Sequence, residues 1–158
     1  MIQGYCIGGA LGVALCCDLR FAAANSRFAI PAARLGLGYA YGGIKRLVDV
    51  VGPSIAKEIF YTARQFSADE AVSMGLINRT YSAADLLTAV NDASTRLGQN
   101  APLTIVAAKL AINVAQGDSR DKDISAVENA VAGCFASEDY KEGRRAFSEK
   151  RTPAFKGV

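Results

Sequence analysis

The chain has 158 residues and a net charge of +3, from 18 Lys and Arg against 15 Asp and Glu. This mild basic excess suits an anionic small ligand and falls well short of a nucleic-acid-binding composition, so no nucleic-acid partner is expected. Neither His nor Trp occurs, which excludes Ser-His and Cys-His catalysis, His-ligated zinc and any histidine proton shuttle, and leaves acid–base chemistry to carboxylates, Tyr, Lys and Cys.

In chain order, the pattern predicts a strand over Met1 to Tyr5, a Gly8-Gly9 turn opening an apolar helix, and strands over Leu19 to Ala23 and Arg27 to Ile30. Asp18 is expected to begin the second of these strands. An amphipathic helix follows from about Ile44 to Val51. A Ser-Ala-Asp-Glu cap then opens a helix over Ser67 to Met74 that closes at Gly75, before a strand over Leu76 to Tyr81. Behind Pro102, the residues Leu103, Val106, Ala107, Leu110, Ala111 and Val114 recur at helical spacing up to Gly117. A last helix is expected from about Ile124 to Phe135. Strands early and helices late imply an α/β or α+β core followed by a helical part.

The 28 Ala and 15 Gly are too many for a core of bulky side chains alone. Cys6, Cys16, Cys17 and Cys134 contain no CxxC pair, and vicinal cysteines bridge each other only with difficulty. They are read as buried, reduced thiols in an intracellular, cytoplasmic protein without a metal site. The longest apolar run, Tyr5 to Cys17, is shorter than the roughly 20 residues that span a bilayer, so no membrane partner is expected.

Three segments could carry chemistry. Residues 4 to 12, Gly-Tyr-Cys-Ile-Gly-Gly-Ala-Leu-Gly, place Gly8 and Gly9 at a helix start, where unpaired amides can face an oxyanion or phosphate. A tight turn with close helix packing explains the same glycines, and Gly12 is open to the same two explanations. Residues 30 to 43 put Tyr39 and Tyr41 in a glycine-rich loop expected to face that turn; they are either hydrogen-bonding or acid–base groups, or rings packed over glycines. At the end, Lys141, Arg144, Arg145, Lys150, Arg151 and Lys156, interrupted by Phe147 and Phe155, form either a solvated helix face or a site for phosphates beside an aromatic ring.

Taken together, these segments resemble the enoyl-CoA hydratase/isomerase family, the crotonase superfamily. The resemblance runs through Ile2-Gln3-Gly4-Tyr5-Cys6-Ile7-Gly8-Gly9-Ala10, Cys17-Asp18-Leu19-Arg20-Phe21-Ala22, Phe28-Ala29-Ile30-Pro31, Leu35-Gly36 and Gly42-Gly43 with Arg46-Leu47. It continues through Ser67-Ala68-Asp69-Glu70-Ala71, Gly75-Leu76-Ile77, Glu149-Lys150-Arg151 and Phe155-Lys156-Gly157. It implies an α/β fold, a crotonase-like ββα spiral represented by its later turns and followed by C-terminal oligomerisation helices. Residues 1–81 would be the later part of the core with its oxyanion turn, and 82–158 a helical trimerisation region.

The resemblance further implies acyl-CoA thioesters as ligands, coenzyme A entering as part of the substrate with no permanently bound cofactor, and a homotrimer or hexamer. The backbone N–H of Gly9 would stabilise a thioester enolate, with Gly8, Gly12, Ala32 and Ala40 lining the substrate. Phe147 and Lys150 would contact the CoA adenine and phosphates, often from a neighbouring subunit. The family's two catalytic glutamates fall on Gly12 and Ala32, so two-glutamate hydration does not carry over, and Tyr39 and Tyr41 are left as the ionisable groups near the acyl pocket. The family's N-terminal part, with the second oxyanion donor, has no counterpart here, and the chain reads as a C-terminal portion of the fold. The two functions expected are an acyl-CoA lyase or isomerase, or an inactive or truncated member acting as a binding or assembly module.

Overall fold

A computed structural model describes residues 1–117 and 123–158 and divides the chain into two compact units, Met1–Asn91 and Asp92–Val158. All five strands among the described residues lie in the first unit. β1 (Tyr5–Ile7) runs parallel to β3 (Arg27–Ala29), with Cys6 opposite Phe28, and β3 pairs antiparallel with β4 (Phe66–Ser67). β2 (Phe21–Ala23) and β5 (Arg79–Tyr81) form a separate parallel pair.

The strand expected over Met1 to Tyr5 is divided. Ile2 makes an isolated parallel bridge to Ala22, and Gly4, at φ +78°, then redirects the chain so that its carbonyl accepts from Arg27 N at 3.0 Å. The left-handed backbone at Gly4 cannot continue one strand, so β1 starts only at Tyr5. β5 is shorter than expected, because the amides of Leu76 and Ile77 both donate to Ala71 O and close the preceding helix. Asp18 lies ahead of β2 rather than opening it.

Between the strands run α1 (Gly9–Ala14), α2 (Ala32–Leu35), α3 (Tyr41–Thr62) and α4 (Ala68–Ser73). α3 exceeds the expected helix at both ends. Gly52, at φ +76°, breaks it, and Pro53 starts a second arm, since a missing N–H and a fixed φ suit the first helical position. α4 carries the expected capping box. Ser67 Oγ accepts from Glu70 N at 3.2 Å, and Glu70 accepts in return from Ser67 N at 2.7 Å. The Ser67 amide, with Arg64 on the other carboxylate oxygen, holds Glu70 below its ordinary pKa.

The core of this unit accounts for part of the alanine count. Leu11, Phe28, Leu47, Ile59, Phe66 and Leu76 are fully buried, and Ala22, Ala32, Ala56, Ala68 and Ala71 fill the narrow spaces among them. Arg20 is also buried there. It donates from Nε to Leu76 O and from Nη1 to Cys17 O, each at 2.7 Å, and burial lowers its pKa. Of the four free cysteines only Cys6 is buried, its thiol pushed up by that burial. Cys16 and Cys17 are exposed at the end of α1 and Cys134 is half-buried, which corrects the expectation of four buried thiols.

α5 (Leu86–Gly98), unannounced by the sequence pattern, carries the chain from one unit to the next. In the second unit α6 (Pro102–Gln116) and α7 (Ile124–Ala136) stand where periodicity places them and pack together. Of the predicted apolar face of α6, only Val106 is exposed. α8 (Glu138–Glu149) takes up most of the supposed basic tail. Asp139 accepts from the amides of Lys156 and Gly157 at 2.7 and 2.8 Å, and Glu142 accepts from Arg145, Arg151 and Ala154 N. Arg151, then Arg145, holds the Glu142 carboxyl far below the usual carboxylate range.

Ser67→Ala removes one half of the capping box and should lower stability in urea unfolding by about 1 kcal/mol. Glu142 has a depressed folded-state pKa, so its contribution is present above the ordinary value of 4.5 and is lost as pH falls below it. Acid titration followed by helical circular dichroism should therefore show the second unit loosening below about pH 4.5, and Glu142→Gln should remove part of that pH dependence.

Candidate functional site

The turn between β1 and α1 is set by one residue. Gly8 adopts φ 60°, ψ −118°, a conformation closed to residues with a Cβ, and its N–H donates to Ala29 O at 2.8 Å. The first intrahelical bond of α1 runs from Gly12 N to Gly8 O at 3.1 Å, so the amides of Gly9, Ala10 and Leu11 lie ahead of any intrahelical acceptor. No side chain caps this end and no acidic residue occupies the first turn. Gly9 and Gly12 are exposed, and a Cβ on either would meet nothing within 4 Å. Leu11, fully buried, anchors the helix below them.

The parallel register brings a second segment to the same place. Ile7 is opposite Ala29, so β1 and β3 end side by side, the first leading into Gly8-Gly9 and the second into Ile30, Pro31 and Ala32. Crevices beyond the carboxyl ends of parallel strands are where open α/β sheets bind ligands. Ala32 is 3% exposed at the start of α2.

The tyrosine loop is the third contribution. A Cβ built on Gly8 would stand 4.0 Å from the Tyr39 hydroxyl, and one on Gly43 would stand 3.7 Å from the Tyr39 ring. That ring packs edge-on against Phe60, with centroids 5.1 Å apart. Tyr39 therefore meets both expectations for it, facing the turn and packing over a glycine. Tyr41, its equal in the sequence, stands 73% exposed as the first residue of α3, and Ala40 is the exposed, extended residue before it. Phe60, which fixes the Tyr39 ring, was not singled out in the sequence. The row Ala56, Ile59 and Phe60 behind Pro53 was the signal available.

Beside Tyr39 and Ala32 lies a cleft of about 410 Å3 between α2 and α3. The second unit has its own apolar cavity of about 660 Å3, lined by Tyr140, Phe147 and Phe155 among others. Phe147 is 88% exposed, and Lys150 caps α8 in the left-handed region at φ 54°. Among the described residues no three His, Cys, Asp or Glu side chains group as metal ligands, and no helix is long and apolar enough to cross a membrane.

The enoyl-CoA hydratase/isomerase family model matches residues 1–158. The chain is 38% identical over 154 residues to a crotonyl-CoA hydratase of Syntrophomonas wolfei, covering 98% of this chain and 59% of that one. It is 34% identical over 150 residues to a short-chain-enoyl-CoA hydratase of Clostridium acetobutylicum, covering 95% and 58%. The crystal structure of an enoyl-CoA hydratase from Mycobacterium tuberculosis superimposes with a TM-score of 0.89 at 34% identity, covering 98% of this chain and 62% of that one. The chain thus spans about three-fifths of the length of these relatives.

The backbone at the turn makes a prediction of its own. Gly8→Ala should cost roughly 1–3 kcal/mol in urea unfolding, because the strain of its φ and ψ is unavoidable. Gly9→Ala, with open space and helical backbone, should leave stability within about 1 kcal/mol of the parent.

Proposed function

From a chain that belongs to the enoyl-CoA hydratase/isomerase family, we propose a protein of acyl-CoA metabolism that polarises a thioester at the first turn of α1. The backbone N–H of Gly9 donates to the thioester oxygen and stabilises the enolate that forms when the α-proton leaves. The observation that carries this reading is the open turn itself, with amides ahead of the first helical bond and no side chain or acidic residue occupying their place. Preorganised donors of this kind act where charge develops and need no reorganisation during reaction. The names of the relatives, a crotonyl-CoA hydratase and a short-chain-enoyl-CoA hydratase, agree with a thioester ligand.

Gly12 and Ala32, where the family's glutamates would fall, have no group that can move a proton, so the two-glutamate route is not proposed. Tyr39 is the side chain best placed to replace it, because its hydroxyl lies beside Gly8. Gly8, Gly12, Ala32 and Ala40 border the substrate in this reading, and the exposed Tyr41 is a subsidiary candidate. Phe147 and Lys150 would contact the adenine and phosphates of coenzyme A, which enters only as part of the substrate. A homotrimer or hexamer would be built through the C-terminal helices, in the cytoplasm.

A second reading, a family member that binds or assembles without catalysis, is favoured by α7. Its sequence, Ile-Ser-Ala-Val-Glu-Asn-Ala-Val-Ala-Gly-Cys-Phe-Ala, is largely apolar, yet none of its residues is buried, and Phe135 stands 62% exposed. Such a face suits a protein partner.

Gly9→Pro separates the two. Proline is tolerated at the first helical position and replaces the N–H by a ring carbon, and the backbone of Gly8 mirrors a φ, ψ pair acceptable before proline. Deuterium exchange at the α-carbon of butyryl-CoA in D2O reports enolate formation directly. Exchange by the parent that falls about 100-fold in Gly9→Pro is the result expected. Unchanged exchange in the variant would overturn the role of Gly9, and no exchange by the parent would favour the assembly reading.

A further inference from the structure

α1 and the turn after it divide their residues between two faces. Leu11 and Leu15 are buried, while Gly9, Gly12 and Cys16, spaced to lie above one another on a helix, line the exposed side. The Cys16 thiol leans back along that side and donates to Gly12 O at 3.4 Å, and the Cys17 thiol donates to Val13 O at 3.9 Å. Both thiols are free and exposed. The turn that carries them is fixed: Cys16 N and Cys17 N donate to Val13 O and Ala14 O, and Arg20 Nη1 donates to Cys17 O at 2.7 Å. Cys6, buried in the core with its thiol pushed up by that burial, and half-buried Cys134 offer no comparable access.

Adjacency decides what such a pair can do. Neighbouring Cα atoms stand about 3.8 Å apart, short of the roughly 4.4–6.8 Å that an unstrained disulfide spans. A mixed disulfide formed on one thiol is therefore not readily displaced by the other, and it persists. We propose that Cys16-Cys17 is an S-thiolation site for disulfides of low-molecular-weight thiols, and that an adduct there covers the exposed face of α1 that carries Gly9 and Gly12. In the step, a cysteine thiolate attacks one sulfur of the incoming disulfide, whose S–S bond breaks as a new S–S bond to the cysteine forms. The other half leaves as a thiolate and takes up a proton. The cysteine is oxidised and the departing half reduced, with no further reagent. The modification stands on the exposed pair alone, and its effect on thioester chemistry rests on the reading of the Gly9 turn.

Oxidised glutathione, added to the full chain and followed by intact mass and peptide mapping, is the probe. Glutathione should appear on the peptide that holds Cys16 and Cys17 before any appears on Cys6 or Cys134, and its rate of addition should fall about tenfold or more in the Cys16→Ser/Cys17→Ser double variant. Earlier labelling of Cys6 or Cys134 in the parent, no labelling at all, or loss of two hydrogens from the pair in place of a stable adduct would overturn the site, however the variant folds. Exchange at the α-carbon of butyryl-CoA should fall in proportion to the adduct formed and return with dithiothreitol. Exchange undiminished in the fully modified chain would overturn the covering of α1 while leaving the site. No exchange by the unmodified parent would overturn the thioester reading and that effect together, while the peptide map still decides the site.

Discussion

The first unit depends on a single backbone constraint, the conformation of Gly8. At φ 60°, ψ −118° the chain leaves β1 and enters α1 within one residue, and the Gly8 amide remains bonded to Ala29 at the end of the neighbouring parallel strand. A residue with a Cβ would have to relax that geometry, and the cost would reach both strand ends together. The same constraint leaves the next three amides ahead of the first helical bond. Stability and the proposed chemistry thus share one turn, with buried Leu11 holding it from below.

Around that turn small side chains have a positional meaning. Gly12 and Gly9 keep its outer face open, Gly43 leaves room for the edge of the Tyr39 ring beside the start of α3, and Ala32 and Ala56 line a cleft between α2 and α3. Alanine also fills the core between Phe28, Leu47 and Phe66. The abundance of small residues therefore reflects close packing and retained space at different positions. In the proposed reading the lack of histidine matters little to a donor made of backbone and more for the proton, for which Tyr39 is the candidate side chain.

Much of this was legible in the sequence because it is written in short-range signals. Gly8-Gly9 before an apolar run, Ser67 with Glu70, and Pro102 with Gly117 each mark a helix end by local chemistry, and each helix is found there. What escaped is long-range or masked by charge. Gly52 interrupts α3 and Pro53 restarts it, so the arm that carries Ala56 and Phe60 lies beyond the helix expected over Ile44 to Val51. α8 looked like part of a basic tail because Lys141, Arg144 and Arg145 stand close together in it, while Glu142 binds two of the arginines and an amide of the terminal segment. Burial of Arg20 depends on a carbonyl 56 residues away, which no local pattern encodes. Tyr39 and Tyr41 were equivalent by position, and only the packing of Tyr39 against Phe60 separates them.

Whether the Gly9 amide meets the thioester oxygen, as proposed, can be read from the position of its 1H–15N resonance during titration with butyryl-CoA. The Gly9 amide proton should move downfield in proportion to bound ligand, as a donor does on meeting a strong acceptor. A titration that saturates with the Gly9 resonance unmoved would contradict it.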